Sequence, residues 1–345
     1  MKLLILGGTR FLGRHLMTAA LARGHEVTLF NRGNYAAEGA NTVETIQGDR
    51  HTDLAKLKDR RWDAVVDTSG HLPRAVGAAA EVLSDSVNRY VFISSQNAYA
   101  DVSVPGVKET QALKTLTTEQ LDRANAVDTA REPSYAELYG GLKALCEQAA
   151  EEVMPGRVLI FRPGLIVGPY DYSDRFTYWV ARVAQGGDVL APGPPNRFVQ
   201  LIDVRDLAEW IVSMIEQGAT SAYNAHGRPS TFTMQDVLEE CRRAGHSEAS
   251  FTWVSEDFLL QEQVAAWTEL PLWLPEEAAP HLKGFMFISP DKAIAAGLTF
   301  RSLKETIGDT LTWYQTNRQH EPLKAGLDRD KEHALLYKWR ELNKR

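Results

Sequence analysis

Lys2-Leu-Leu-Ile-Leu6, followed at once by Gly7-Gly-Thr-Arg-Phe-Leu-Gly13, is the stretch whose reading decides the fold. The apolar run has the length and pattern of a short buried strand. Beyond the glycines, Leu12, Leu16 and Ala20 keep one helical face apolar, Met17 and Leu21 widen it, and Gly24 supplies a left-handed cap. His25 to Phe30 then has the pattern of a second strand. A strand, a glycine turn, a helix and a strand within ~30 residues give a glycine motif its meaning. Backbone N–H groups and the helix N-terminus face a pyrophosphate there, so the turn is read as a dinucleotide site. A turn that merely needs glycine is the alternative.

The alternation continues with strands at Thr42 to Gln47, ending in Gly48-Asp49, at Trp62 to Asp67 and at Arg89 to Ser94. Strands alternating with helices imply an α/β fold, a doubly wound parallel sheet of the Rossmann type with its ligand at the strands' C-terminal ends. Asp49, Asp67, Thr68, Ser69, Gly70 and Ser95 all fall at such ends. Asp49 and the turn from Thr68 to His71 are expected to face a cofactor; simple turn chemistry is the alternative for each.

Between Ala100 and Pro133 the chain becomes polar and irregular, as in a surface insertion, after which a helix from Tyr139 to Glu152 and a strand from Arg157 to Phe161 resume the pattern. Past Pro169 aromatic residues cluster at Tyr170, Tyr172, Phe176, Tyr178 and Trp179. Phe198 to Ile202 returns as a strand, Leu207 to Glu216 as a helix and Ala222 to Ala225 as a strand, and Thr233 with Asp236 opens a further helix. Trp253 to Trp273 holds three tryptophans, suited to lobe packing or to a small-molecule pocket. The expected division is a dinucleotide-binding unit over 1–169 to which 198–225 returns, a substrate lobe from 170–197 and 226–316, and a tail over 317–345. In that tail Leu335, Leu336, Trp339 and Leu342 recur at helical spacing, so it packs on the body or on a partner subunit, with a homodimer as one outcome.

Composition narrows the function. Of 345 residues 44% are hydrophobic and 24% charged, and the net charge is −7. Such a balance offers no broad cationic footprint for nucleic acid or anionic lipid. The only cysteines, Cys146 and Cys241, have no metal-ligand spacing and suit a reduced cytoplasm, so no metal is expected. No stretch reaches the ~20 apolar residues of a membrane span. A soluble, cytoplasmic protein acting on a small molecule is the expectation.

Tyr139-Gly-Gly-Leu-Lys143 carries the candidate chemistry. On a helix the two end residues share a face, and an ammonium beside a phenol lowers the phenol's pKa from ~10. Tyr139 is thus a candidate proton donor or acceptor. A plain surface pair is the alternative for these two residues alone.

Taken together, the glycine turn, Ser94-Ser-Gln-Asn-Ala-Tyr99, Tyr139 with Lys143, Arg162 through Pro169, Ile202-Asp-Val-Arg-Asp-Leu-Ala208 and Ser289-Pro-Asp-Lys through Trp313-Tyr314 resemble the extended short-chain dehydrogenase/reductase superfamily. This is the NAD-dependent epimerase/dehydratase family. The chain is most similar to an atypical subgroup of reductases and relatives of the chloroplast stem-loop-binding proteins. The resemblance implies that Ser95 orients the reacting oxygen, Tyr139 acts as general acid/base, and Lys143 binds the nicotinamide ribose. It implies a cofactor site at Gly7, Thr9, Arg10, Phe11, Leu12, Gly13, Asn31, Arg32, Asp49, Arg50, Thr68, Ser69, Gly70, Lys143 and Pro163. Gln96, Asn97, Tyr99, Tyr170 and Arg197 are the expected substrate contacts.

Departures from the family pattern shape the reaction. Arg10 replaces the central glycine of the turn. Gln96-Asn97 stand where sugar dehydratases carry an Asp-Glu pair, and neutral amides cannot eliminate water. Leu165 replaces the Asn of nucleotide-sugar enzymes, and Val199 their diphosphate-binding Arg, with Arg197 two positions back. The expected function is an NAD(P)-dependent oxidoreductase of a small carbonyl or alcohol. A sugar epimerase with tightly bound cofactor, or an RNA-binding or regulatory protein that kept the fold, is the alternative. Asn31 at the end of the second strand, with Arg32 and Arg10 near it, favours NADP over NAD.

Overall fold

Seven parallel strands form one sheet in the order Ser221–Ala225, Val158–Pro163, Val87–Ile93, Trp62–Asp67, Lys2–Leu6, Glu26–Asn31 and Glu44–Gln47 in the computed structural model, which describes residues 1–35, 39–126 and 133–344. Chain order reverses at Lys2–Leu6, whose neighbours are Glu26–Asn31 on one side and Trp62–Asp67 on the other. At that reversal a doubly wound sheet opens a crevice for ligand. Leu3 and Ile5 face the layer holding helices Phe11–Ala22 and Val204–Glu216. Leu4 and Leu6 face the layer of helices Pro73–Leu83 and Pro133–Val153. Burial on both faces is why the first strand is apolar at every position from Leu3 to Leu6. Each such side chain contributes ~1.5–3 kcal/mol, so a charge at any of them would break the layer.

The smaller ladders differ from the sequence expectation. Ala40–Thr42 forms a single 3-10 turn, and the third strand starts at Glu44. Residues 198–203 make two short strands instead of one, Phe198–Val199 and Leu201–Asp203, paired with Phe232–Thr233 and Leu165–Val167. The break falls at Gln200, whose buried side chain donates to the Gly227 and Ile288 carbonyls and accepts from the Ile288 N–H. Thr233 and Asp236 cap the helix Met234–Ala244 reciprocally, as their spacing predicts.

A second core lies beyond the sheet. Strands Asp188–Pro192 and Ser250–Val254 pair in parallel, enclosed by helices Arg175–Ala184, Met234–Ala244, Leu303–Asn317 and Arg329–Leu342. Phe176, Trp179 and Trp273 are buried there, and the Trp179 indole donates to the Pro271 carbonyl at 2.7 Å. Helix Arg329–Leu342 is bound to this core by Leu335, Leu336 and the fully buried Glu332, which accepts from Arg182 Nε at 2.8 Å and from the Leu190 N–H at 3.0 Å. No helix among the described residues is long and apolar enough to cross a membrane.

Candidate active site

The glycine turn is built for close approach. Gly7 and Gly8 have φ of 110° and 91°, and a Cβ on Gly7 would stand 2.5 Å from Thr68 Oγ1. A Cβ on Gly13 would meet the Gly8 backbone at 2.8 Å, so the helix packs directly on the turn. Helix Phe11–Ala22 starts without a side-chain cap and without an acidic residue in its first turn, which leaves its positive end to a ligand. These features fit a dinucleotide pyrophosphate. The Arg10 guanidinium lies 3.8 Å from the Tyr172 ring centre and 4.6 Å from that of Tyr35. Phe11 meets Tyr172 edge-on, and Leu12 is buried between helix and sheet.

Around the turn several expected contacts are occupied by protein groups. The Asn31 amide donates to the Gly7 carbonyl at 3.1 Å, and its oxygen accepts from the Gly33 N–H at 2.8 Å. It therefore holds the turn in place. Arg32 is exposed, with Nη1 4.0 Å from Asp49 Oδ2. Arg50 spends both terminal nitrogens on Asp67, Ser69 Oγ and the Ala75 carbonyl, and Tyr90 also donates to Asp67 at 2.7 Å. Burial opposes the charge on Arg50, yet the Asp67 carboxylate outweighs it and raises the Arg50 pKa. Thr68 and Ser69 donate through their hydroxyls to the Leu6 carbonyl, closing this shelf against the first strand.

Helix Pro133–Val153 carries three residues one turn apart on one face, Tyr139, Lys143 and Glu147. Tyr139 is hydrogen-bonded to the Ser95 side chain; burial raises its pKa and the Ser95 contact pulls it back. Lys143, one turn on, is buried and donates to the Gly70 and Ile93 carbonyls at 2.8 and 2.6 Å. Its own pKa is lowered by burial. Glu147, a further turn on, accepts from Ser94 Oγ and from Arg162 Nη2 at 2.6 Å. Glu147 escaped sequence reading, although its four-residue step beyond Lys143 was visible. Ser95 Oγ also accepts from the Asn97 backbone and side-chain amides at 3.2 Å each.

The remaining expected contacts separate into those at this site and those elsewhere. Gln96 is buried beside Ser95, and Pro163 ends the adjacent strand. Tyr99 lies deeper, its hydroxyl donating to Asn224 at 2.6 Å and accepting from Arg162 at 3.1 Å. Tyr170 is stacked under Arg14 at 3.7 Å and packed on Trp313. Arg197 is held in the second lobe by Glu256 at 3.0 Å and by the Leu274 carbonyl. Of the aromatic run, Phe176, Tyr178 and Trp179 are core, whereas Tyr172 is exposed and carries the Arg10 guanidinium over its ring. No group of three or more His, Cys, Asp or Glu residues suited to a metal occurs among the described residues.

A glycine turn at the reversal of a doubly wound parallel sheet is the Rossmann arrangement shared by dinucleotide-binding proteins. Residues 3–225 match the NAD dependent epimerase/dehydratase family, and the chain belongs to that family. It is similar to the chloroplast stem-loop binding protein of 41 kDa b of Arabidopsis thaliana, with 24% identity over 71% of this chain and 63% of that protein. It is also similar to a 2-alkyl-3-oxoalkanoate reductase of Stenotrophomonas maltophilia, with 30% identity over 50% of this chain and 52% of that one. The chain thus spans less than two thirds of the length of these curated relatives. Among solved structures, UDP-glucuronic acid 4-epimerase from Bacillus cereus in complex with NAD superposes with a TM-score of 0.66 at 13% identity, covering 94% of this chain and 100% of that one.

Proposed function

We propose that the chain is a pyridine-nucleotide oxidoreductase of a small carbonyl or alcohol. The observation that carries this reading is the Tyr139–Ser95 hydrogen bond, with buried Lys143 one turn away, at the C-terminal ends of the strands. When bound, the nicotinamide supplies the hydride acceptor or donor. The residues that would hold it are Gly7, Gly8 and Gly13 around the pyrophosphate, the shelf of Thr68, Ser69 and Gly70, and Lys143. Ser95 donates a hydrogen bond to the substrate oxygen, and Tyr139 gives or takes the proton at that same oxygen. Lys143 is held by the Gly70 and Ile93 carbonyls one helical turn from Tyr139, and an ammonium brought close to the phenol would favour its ionised form when a proton must leave.

NADP is the cofactor this reading favours, because Arg10 and Arg32 flank the end of the second strand and Asn31 brings no negative charge there. Nucleotide-sugar epimerisation is the weaker reading: Arg197, the nearest cation to the diphosphate position in the sequence, is spent on Glu256 and Leu274. The test is hydride transfer between NADP(H) and a panel of small ketones, aldehydes and secondary alcohols. Tyr139→Phe is expected to lower the rate ~10²- to 10⁴-fold. Full activity in that variant, or a parent protein that binds neither pyridine nucleotide, refutes the reading.

A further inference from the structure

Three neighbouring strands of the sheet end at one spot. Val87–Ile93 leads into Ser95 and Gln96, Val158–Pro163 into Gly164, and Ser221–Ala225 into His226. The register pairs Ala225 with Pro163, and the Gly164 N–H reaches the Ala225 carbonyl at 3.4 Å. His226 and Gly164 are therefore opposite one another just beyond the ladder. Gly164 is required there: a Cβ would stand 2.4 Å from His226 Nδ1, and Gln96 Oε1 lies 3.4 Å from the same point. A side chain on the middle strand would fill the space that the imidazole and the amide share.

Both polar groups are nearly inaccessible, with Gln96 4% and His226 1% exposed. Gln96 Oε1 and His226 Nε2 nonetheless have no hydrogen-bond partner among the described residues. Polar atoms in this state carry the full cost of lost hydration, and two side chains that each hold one, packed together against Gly164 just after a candidate catalytic serine, mark a place suited to a ligand group. Burial lowers the His226 pKa to about 3 against a hydrogen bond from the ring to the Arg162 backbone, so its ring is neutral at working pH. Neither group brings charge, which suits a hydroxyl and not a carboxylate or phosphate.

We propose that Gln96 and His226 form a specificity pair that takes a hydroxyl on the carbon next to the reacting one, so that the preferred substrate is a vicinal diol or its hydroxy-carbonyl counterpart. This rests on the Ser95–Tyr139 reading for the position of the reacting oxygen. His226 is a positioning residue: it holds the substrate and moves no proton.

The experiment measures binding of cis-1,2-cyclohexanediol and cyclohexanol by ligand-observed NMR, with and without NADP⁺, to the full chain and to Gln96→Met, His226→Phe and His226→Asn. The diol is expected to bind at least about tenfold more tightly than the mono-ol to the parent, a difference of ~1.4 kcal/mol, and the ratio falls below about threefold in each variant. Melting temperatures accompany the titrations. Removal of an unpartnered buried polar atom is expected to leave the melting temperature of Gln96→Met unchanged or raised, whereas a purely structural role lowers it. A parent that binds both alcohols equally, or neither, overturns the proposal, as does a ratio that survives the substitutions. Selective diol binding lost in these variants, in a protein that transfers no hydride, would sink the oxidoreductase reading and leave the pair standing.

Discussion

Glu147 grips Arg162 in a buried ion pair, with Nη2 to Oε2 at 2.6 Å and Nε to Oε1 at 3.0 Å. Tyr139, Lys143 and Glu147 rise one helical turn apart on the same face, so the residue that follows the two candidate catalytic groups is the one that fastens their helix to the strand beneath. Arg162 in turn donates to the Tyr99 hydroxyl and to the Glu109 carbonyl at 3.1 Å each. Burial opposes the arginine's charge, but the Glu147 contact raises its pKa overall. Losing one partner strands the other charge in the interior. Glu147→Ala is expected to cost ~3–5 kcal/mol, and Glu147→Leu combined with Arg162→Met far less, because both charges then leave together. Urea denaturation of the single and double variants checks this; equal losses in both would show that the pair is not the source of the cost.

How much of this was legible in the sequence depends on distance along the chain. The apolar run Leu3 to Leu6, the spacing of Gly7 and Gly13 and the Thr233–Asp236 cap are local patterns, and each took the form predicted. The Gln200 break was hidden, since its cause is a side chain bonded to Gly227 and to Ile288, which lies 88 residues away. Pairing of Asp188–Pro192 with Ser250–Val254 was equally silent, as neither strand shows its partner. At the site, Arg50 looks like a cofactor ligand in the sequence because it follows a strand end. Only the fold shows that its terminal nitrogens are turned down onto Asp67, Ser69 and Ala75. His226 meets Gly164 through sheet order, which no single segment encodes.

The buried imidazole gives the protein an acid weakness. His226 has a folded pKa of about 3, below its unfolded value of ~6.5, so between those values the unfolded chain binds the extra proton. Its contribution to stability is present above pH ~6.5 and is lost as pH falls, about 2 kcal/mol by pH 5. Asp206 acts in the opposite sense: burial raises its pKa to about 6, so its contribution fades as pH rises from ~4 to 6. Comparing the parent with His226→Asn removes that shared background. Stability of the parent should drop more steeply than that of the variant from pH 7 to 5 in chemical denaturation; parallel slopes would mean that the ring takes up a proton in the folded state.

Arg197 offers a test of substrate class. Its side chain is enclosed by Glu256, Glu276 and the Leu274 carbonyl, 3.0 Å from the first and 3.7 Å from the second. A guanidinium so committed has no fork left for a diphosphate. Calorimetric titration with UDP-glucose and UDP-glucuronic acid is expected to show no saturable micromolar binding. Arg197→Met should lower the melting temperature through the uncompensated charges of Glu256 and Glu276. Micromolar binding of either nucleotide sugar, abolished in Arg197→Met, would reverse the assignment and favour epimerisation.

Cofactor choice turns on the exposed end of the second strand. Arg32 is exposed, with Asp49 at 4.0 Å, and exposed pairs at that distance contribute little. Arg32 is therefore available to a 2′-phosphate, which a guanidinium holds by paired, charge-assisted hydrogen bonds. Asn31 is already bound to Gly7 and Gly33, so discrimination falls to charge and not to the Asn31 amide. Asp49 works against the phosphate from below. NADPH is expected to bind at least about tenfold more tightly than NADH, a difference of ~1.4 kcal/mol. Arg32→Ala should erase most of that preference, Arg10→Ala part of it, and Asp49→Asn should widen it, all at low salt, where exposed charges act over ~10 Å or more. Fluorescence titrations of the four proteins with both nucleotides decide the matter: equal affinities in the parent would end the NADP assignment, and a preference untouched by Arg32→Ala would move the phosphate contact to Arg10 and the Tyr172 side of the turn.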